Sequence, residues 1–214
     1  MGVITALKVE PKDPRRIAVL VDGVPRLAVS RPIAAGLQVG QPIDEAGMAE
    51  LERREAVEAA VLRAGRLLSR RPRSEAELRT ALRRSKAAPE IIDGAIERLR
   101  QAGEIDDLRF AKAWRDNRAD FRPRGAFALK AELQRKGVSR QVIDQALEGF
   151  SEEEAALAAA RKAARRLRAR PELPFDQQLY AYLQRRGFGH ETISAVVRRV
   201  AAETTAFAER EGES

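Results

Sequence analysis

One segment recurs three times in this chain, and this internal repeat restricts the fold more than any other feature. The copies begin at equivalent leucines and cover residues 78–99, 129–150 and 179–200. A second leucine in each copy shows that the period is 51 and then 50 residues; these leucines are Leu82, Leu133 and Leu183. Repeats of this length are typical of chains that stack small units instead of folding around one large core.

The repeated segment has the apolar spacing of two consecutive α-helices. In the first copy, Leu78 and Leu82 lie four residues apart. Ile92, Ile96 and Leu99 continue the pattern at spacings of three and four residues. Because this spacing places side chains on one face of a helix, we expect both helices to bury that face.

Local signals delimit these helices, and a further helix precedes each copy. Ser74 and Glu77 have the spacing of a capping box before the first helix. Pro89 suits the first turn of the next helix, and Gly103 suits its C-terminal stop. The preceding helices are expected at about residues 52–70, 106–120 and 152–169. The pattern therefore predicts three tandem three-helix repeats.

The first 30 residues have a different pattern, with short apolar runs that predict two or three strands. Asp22-Gly23 between two such runs is a strong signal for a β-hairpin. A piece this small buries little core, so we expect it to pack on a neighbouring element. The expected fold is mainly α, with three three-helix repeats in an elongated, curved array after a small N-terminal β-hairpin or strand segment.

The expected organisation has five segments. A β-rich segment with its connection covers residues 1–48, and the three repeats cover residues 50–103, 104–150 and 151–203. Residues 204–214 are polar and are expected to form a flexible tail.

The charge of the chain predicts a polyanionic partner. Lys and Arg number 40 against 32 Asp and Glu, which gives a formal net charge of +8. Such an excess attracts nucleic acid, although many of these charges could instead pair along helices. The absence of cysteine excludes disulfides and thiolate zinc sites. No apolar run has the length of a secretory signal or membrane span, so we expect a soluble cytoplasmic protein without membrane contact.

The residues that resemble catalytic groups are better explained as structural. His190 is the only histidine, and it precedes an apolar helix, where a surface or capping role is expected. Asp106 and Asp107 open a helix, where carboxylates accept hydrogen bonds from free N–H groups. The same interpretation applies to Glu152 to Glu154. We expect no catalytic residue, no cofactor and no metal.

One aromatic pair has two interpretations. Trp114 follows Phe110 by four residues, so both lie on one helix face. Exposed rings of this kind can stack on nucleobases. The regular helical spacing favours packing in a core instead.

Basic residues recur where the second helix of each repeat ends and in the connections before those helices. Cations near helix C-termini also favour the helix dipole, so a purely structural role stays open. Charges at repeat spacing can follow a phosphate backbone or an acidic protein groove. We assign partner or DNA binding to Arg70, Arg71, Arg73, Arg83, Arg84, Arg122, Arg124, Lys130, Arg135, Lys136, Arg185 and Arg186. The run from Arg161 to Arg170 is either another such stripe or the polar face of a helix.

Four sequence blocks in the right order resemble the RecX family. They are LLSRRPRSEAEL (residues 67–78), GEIDDLRFAKAW (103–114), RPRGAFALKAELQRKGV (122–138) and LYAYLQRRGF (179–188), and together they span roughly residues 55–200. The second block is similar to the family signature Gly-x-Ile/Leu-Asp-Asp-x-Arg-Phe-Ala. The first repeat departs from the family pattern, because Ser85-Lys86 stands where the others have Gly137 and Gly187. A different turn is therefore expected there.

The resemblance implies a regulator and not an enzyme. It implies tandem three-helix repeats that bind the RecA recombinase filament, including its helical groove, and inhibit its ATPase, strand-exchange and co-protease activities. It also implies contact with single- and double-stranded DNA in recombination and repair, and we expect a monomer. The residues alone leave three alternatives open. The first is a DNA-binding helical-repeat protein that represses transcription independently of the recombinase, and the second is a scaffold for some other acidic protein. The third is a nuclease or other enzyme, which is the least favoured because the sequence lacks an obvious cluster of metal ligands.

Overall fold

The computed structural model describes residues 1–168 and 173–212, without the side chains of residues 165, 168 and 204–212. Two residues of the basic run, 169 and 170, therefore lie outside the described residues. So do the side chains of the segment 204–214 expected as a tail, together with its last two residues. The chain divides into two compact units, Met1–Ile105 and Asp106–Ser214.

The first unit begins with a four-stranded antiparallel sheet. Its strands are β1 (Gly2–Glu10), β2 (Asp13–Val21), β3 (Val24–Ser30) and β4 (Pro42–Ile43), in the order β3-β2-β1-β4. Asp22 and Gly23 connect β2 to β3 with φ angles of 51° and 81°. Positive φ at both central residues is what a type I′ turn requires, so the predicted hairpin is confirmed. The short β4 lies in the segment that we expected to be only a connection.

Each repeat consists of three helices, as the apolar spacing predicts. The first has α2 (Glu45–Leu68), α3 (Glu75–Arg84) and α4 (Pro89–Gln101), and a short α1 (Arg31–Ala34) precedes it between β3 and β4. The second has α5 (Asp107–Phe121), α6 (Ala126–Arg135) and α7 (Arg140–Ala146). The third has α8 (Glu152–Arg168), α9 (Phe175–Arg185) and α10 (His190–Gly212).

Equivalent positions of the repeat form the three helical cores. At most 2% of the residue surface is exposed at Leu78, Leu129 and Leu179, at Leu82, Leu133 and Leu183, and at Ile92, Ile143 and Ile193. Full burial of such a side chain stabilises a fold by about 1.5–3 kcal/mol. The inner faces that we expected from the spacing are therefore confirmed.

The predicted helix boundaries in the first repeat are also confirmed. The Glu77 N–H donates to the Ser74 hydroxyl at 3.2 Å, and the Ser74 N–H donates back to the Glu77 carboxylate at 3.4 Å. Pro89 occupies the first turn of α4. Gly103 ends that helix with φ of 68°.

The expectation of a different turn after α3 is wrong. Lys86 has φ of 61°, close to the 78° of both Gly137 and Gly187 at the equivalent positions. The Lys86 N–H donates to the Arg83 carbonyl at 2.9 Å, as the Gly137 N–H donates one repeat later to the Gln134 carbonyl at 2.8 Å. Because these hydrogen bonds satisfy the last carbonyls of the helix, the turn is kept although lysine replaces glycine.

Helix α2 belongs to the sheet core and to the first repeat at once. Near its beginning, Leu51 packs with Ile4 and Val19 of the sheet. Further along, Val57 and Ala64 pack in the core with α3 and α4. The strand segment therefore has the neighbour that we expected, and α2 continues without a break through residue 49, between the two segments we had separated.

Two buried carboxylates attach other elements to α2. Glu55 accepts a hydrogen bond from the Ser30 N–H at 2.7 Å and lies 3.2 Å from the Arg16 guanidinium. Glu58 lies 2.7 Å from the guanidinium of Arg98 on α4. Since a buried carboxylate is costly without partners, these pairs determine how the sheet and α4 sit on α2.

Candidate functional site

The groups that resemble catalytic residues have structural roles. Asp106 accepts hydrogen bonds from the N–H groups of Leu108 and Arg109 at 2.8 and 3.0 Å, which confirms it as the cap of α5. His190 is exposed at the beginning of α10, and its Nδ1 lies 2.5 Å from the Tyr180 hydroxyl. Among the described residues, no group of three His, Cys, Asp or Glu could hold a metal ion. No helix in that same part of the chain is long and apolar enough to cross a membrane.

Glu152 has a role that differs from the expected cap of its own helix. Ser151 provides that cap, because its hydroxyl accepts from the Glu154 N–H at 3.3 Å. Glu152 instead reaches to other helices: it accepts from the Ala126 N–H of α6 at 2.8 Å and from the Thr192 hydroxyl of α10 at 3.2 Å. The expectation that Glu152 caps its own helix is therefore wrong, since Ser151 provides that cap, but the role of Glu152 is structural, as expected.

Trp114 packs in the core of the second repeat, as the helical spacing favoured. It is half-buried, and its ring centroid lies 6.0 Å from that of the buried Phe110. The indole N–H donates to the Glu132 carboxylate at 2.8 Å. Arg118 and Lys136 lie 4.4 and 5.0 Å from the ring centroid. These contacts occupy the ring, so Trp114 is not a free platform for bases.

Glu132 connects the Trp114 side chain in this core to the basic residues Arg118 and Arg124. It accepts from the guanidinium of Arg118 at 2.8 Å, and Arg124 lies 3.6 Å from its other oxygen. Partial burial acts to raise the pKa of Glu132, but the hydrogen bonds from Arg118 and Trp114 outweigh burial, and the pKa lies below its ordinary value. Glu132 therefore stays ionised and holds Arg118 and Arg124 in place.

Six of the twelve basic residues that we assigned from the sequence make contacts within the protein. They are Arg71 with Glu77, Arg73 with the Leu67 carbonyl, Arg124 with Glu132, Lys130 with Asp144, Lys136 with the Trp114 ring, and Arg186 with the Pro123 carbonyl. For these six, a role in holding the fold together is established by the geometry.

The other six are exposed and form no ion pair or side-chain hydrogen bond within the part of the chain that the structure describes. They are Arg70, Arg83, Arg84, Arg122, Arg135 and Arg185. Three of them occupy one position of the repeat, since Arg84, Arg135 and Arg185 are the last residues of α3, α6 and α9. Within the described residues, an arginine without an internal partner therefore recurs in all three repeats at the last residue of the second helix.

The connection between α5 and α6 packs directly on the turn after α9. The Gly125 N–H donates to the Arg186 carbonyl at 3.0 Å, and the Arg186 guanidinium donates to the Pro123 carbonyl at 3.0 Å. A Cβ on Gly125 would lie 2.0 Å from the carbonyl oxygen of Gly187. Only glycine allows this approach, which brings basic residues from separate helices together.

Arg186 lies in a positively charged environment at this contact. Burial lowers the pKa of Arg186, and the nearby guanidinium groups of Arg124, Arg166 and Arg122 lower it further. Arg166 and Arg186 both lie over the Tyr182 ring, at 5.8 and 4.7 Å from its centroid. The repeat pattern did not single out Arg166 or Tyr182, because the cluster forms between helices and has no signature in sequence spacing.

Comparison with known proteins agrees with this architecture. The RecX models for the first, second and third three-helix domains match residues 60–99, 106–147 and 151–197. Each match falls within one of the three segments that the internal repeat predicts. The models together cover more than half of the chain.

Similar proteins share both the sequence and the fold. Regulatory protein RecX of Thermobifida fusca is 35% identical over 62% of this chain and 74% of its own length. Regulatory protein RecX of Chlorobium phaeobacteroides is 33% identical over 72% of this chain and 98% of its own length. A crystal structure of regulatory protein RecX has the same fold, with a TM-score of 0.76 at 23% identity over 92% of this chain and 98% of that one. The chain therefore belongs to the RecX family of regulatory proteins.

Proposed function

We propose that this protein binds the RecA recombinase filament and DNA and inhibits the ATPase, strand-exchange and co-protease activities of the filament, without being an enzyme itself. Membership of the RecX regulatory family supports a regulatory role. The observation that carries the proposal is the recurrence of free positive charge at Arg84, Arg135 and Arg185. The same position of every repeat thus offers a cation to a partner.

The contrast between two kinds of arginine supports this interpretation. Arg71 makes two 3.1 Å hydrogen bonds to Glu77, so a partner would have to break an existing ion pair to use it. Arg84, Arg135 and Arg185 have no such pair within the described residues. Their charge is available to acidic protein surface or phosphate without loss of an internal contact. A partner that itself repeats, such as a protein filament on DNA, suits charge presented once per repeat.

The test measures the single-strand-dependent ATPase of RecA during titration with this protein. We compare the wild type with a variant carrying Arg84→Glu, Arg135→Glu and Arg185→Glu. A second variant carrying Lys8→Glu, Lys12→Glu and Arg63→Glu changes the net charge equally at exposed positions of the first unit. We expect the repeat variant to need on the order of tenfold more protein for the same inhibition, and the control to behave as the wild type within about twofold.

The outcomes separate the possible modes of action. Inhibition at ratios well below one per recombinase indicates capping or propagated disassembly, whereas inhibition near equal amounts indicates groove occupation or competition for DNA. Equal losses in both variants would mean that net charge alone matters. No inhibition at any ratio, with DNA still bound, would reject the proposal in favour of a DNA-binding repressor that acts without the recombinase.

A further inference from the structure

We propose that the connection between α5 and α6 is a site for single-stranded nucleic acid, which holds phosphates on converging arginines and stacks bases on two exposed phenylalanines. Arg122 and Arg124 flank Pro123, whose carbonyl accepts a hydrogen bond from Arg186, and Arg166 lies over the same Tyr182 ring as Arg186. The phenylalanines are Phe121 and Phe127. This inference rests on the proposed function for its class of partner and adds the place and the strand preference. Its binding experiments use nucleic acid alone, without the recombinase, so the two proposals can fail separately.

The arginines supply more positive charge than the fold neutralises. Within the described residues, Arg122, Arg166 and Arg186 make no ion pair, and Arg124 shares the single carboxylate of Glu132 with another arginine. Positive charges on neighbouring elements that no carboxylate neutralises repel each other, and an anion bound among them relieves that repulsion. Guanidinium groups bind phosphate oxygens through directed pairs of N–H donors.

The backbone around the arginines is held in place before any ligand binds. Gly125 and Gly187 approach so closely that neither position accommodates a Cβ: one on Gly187 would lie 2.5 Å from the Ala128 Cβ. The Arg186 guanidinium also holds the connection through the Pro123 carbonyl. A site that is ordered in advance loses less conformational entropy when its ligand binds.

Two large apolar rings lie open on either side of the connection. Phe121, the last residue of α5, is 73% exposed, and Phe127, in the first turn of α6, is 80% exposed. Burial of an aromatic ring stabilises a fold, and the protein leaves this gain unused at both positions. Aromatic rings beside basic side chains are the usual platform for unpaired bases.

The combination of rings and arginines favours one form of nucleic acid. Phosphate contacts alone would serve duplex and single strand alike. In a duplex the faces of the bases are already stacked on one another, whereas single-stranded bases offer a free face to an aromatic ring. The phenylalanines therefore give the site its preference for single strands.

The experiment measures binding of two dye-labelled probes by fluorescence anisotropy at fixed salt. One probe is oligothymidylate of roughly 20 nucleotides, longer than the common site sizes of about 4–16, and the other is a duplex of equal length. Phe121→Leu and Phe127→Leu keep an apolar side chain but remove the aromatic face. We expect each to weaken binding of the single strand about fivefold or more and to change binding of the duplex less than about twofold.

A salt titration tests the arginines independently. Arg122→Gln and Arg166→Gln alter exposed side chains, so both variants should fold as the wild type. Each should reduce the slope of log Kd against log salt for the single strand by about 0.7. Arg63→Gln, which removes an equal charge from α2, should leave the slope unchanged.

Several results would contradict the proposed nucleic-acid site. If the leucine variants bind the single strand as the wild type does, the phenylalanines do not stack on bases. If the variants lose equal affinity for both probes, the phenylalanines do not give a preference for single strands. A leucine variant that loses recombinase inhibition but keeps normal binding to the oligonucleotide would make the phenylalanines a protein-binding surface instead. If both probes bind as expected but the protein does not inhibit the recombinase, the nucleic-acid site is supported and the proposed function is rejected.

Discussion

The carboxylate of Glu152 caps a helix other than its own, since its Oε1 accepts the backbone N–H of Ala126 at the beginning of α6 at 2.8 Å. The residue before Ala126 is Gly125, which has no side chain to accept that hydrogen bond. A side chain there would meet the Gly187 carbonyl, so the acceptor has to come from elsewhere. Glu152 thereby ties the second repeat to the third.

We expect Glu152→Ala to lower the free energy of unfolding by about 1–2 kcal/mol, because it leaves an N–H donor without an acceptor at a helix N-terminus. Equilibrium unfolding in urea measures this change. The control is Glu154→Ala, which removes an exposed carboxylate from the same helical turn and should change stability by less than about 0.5 kcal/mol. Equal losses in the two variants would point to the helix dipole instead of the cross-helix hydrogen bond.

Gly125→Ala should destabilise the protein by about 2 kcal/mol or more, since the new methyl group would collide with backbone atoms that cannot move independently. The matched substitution is Gly65→Ala within α2, where a Cβ meets nothing within 4 Å. That change should raise the melting temperature, because alanine is favoured over glycine inside a helix by about 0.5–1 kcal/mol. Thermal unfolding followed by circular dichroism compares the two. A neutral Gly125→Ala would show that the contact between the connection and the turn is loose.

Lys86→Gly should stabilise the protein by about 1 kcal/mol. Lys86 adopts φ of 61°, a left-handed conformation that costs a residue with a Cβ roughly 1–2 kcal/mol and costs glycine little. Lys86→Ala removes the same charge but keeps the Cβ, so it should give no gain. If both substitutions stabilise equally, the relief comes from removal of the lysine charge and not from the backbone.

The stability contributed by Glu132 should depend on pH in a definite direction. Its pKa in the folded protein lies below the ordinary 4.5, so the folded state favours the ionised form. This contribution is complete above the unfolded-state pKa and is lost as pH falls through the lower pKa of the folded state. The difference in unfolding free energy between the wild type and Glu132→Gln should therefore be constant near neutral pH and shrink in acid. A difference that stays constant throughout acid titration would contradict this linkage.

The helices and their local caps could be predicted from sequence because their causes are local. Leu78 and Leu82 lie on one face by helix geometry alone, and Ser74 finds its partner Glu77 only three residues away. The turn at Lys86 could not be predicted, because residues with a Cβ, such as lysine, rarely adopt the left-handed backbone conformation that this turn requires. The hydrogen bonds that close the helix outweighed that preference.

The contacts of the charged residues could not be predicted, because their partners are distant in sequence. Glu55, Glu132 and Glu152 all stand within or beside helices and look in sequence like ordinary surface or capping carboxylates. Their partners lie 25, 18 and 26 residues away, at Ser30, Trp114 and Ala126. For the same reason, sequence identified the basic residues of the candidate site but did not separate those with an internal partner from those without one.

The sharing of α2 between the sheet and the first repeat has a consequence for the dynamics of the first unit. Loss of the sheet would expose Leu51 to water, and loss of α3 and α4 would expose Val57 and Ala64 on the same helix. Neither part can open without removing packing from the other, so the amide hydrogens of the central strands and of mid-α2 should exchange with solvent in one common opening event. We therefore expect residues 1–105, one compact unit of the structure, to open as a single foldon in which α2 is the common element.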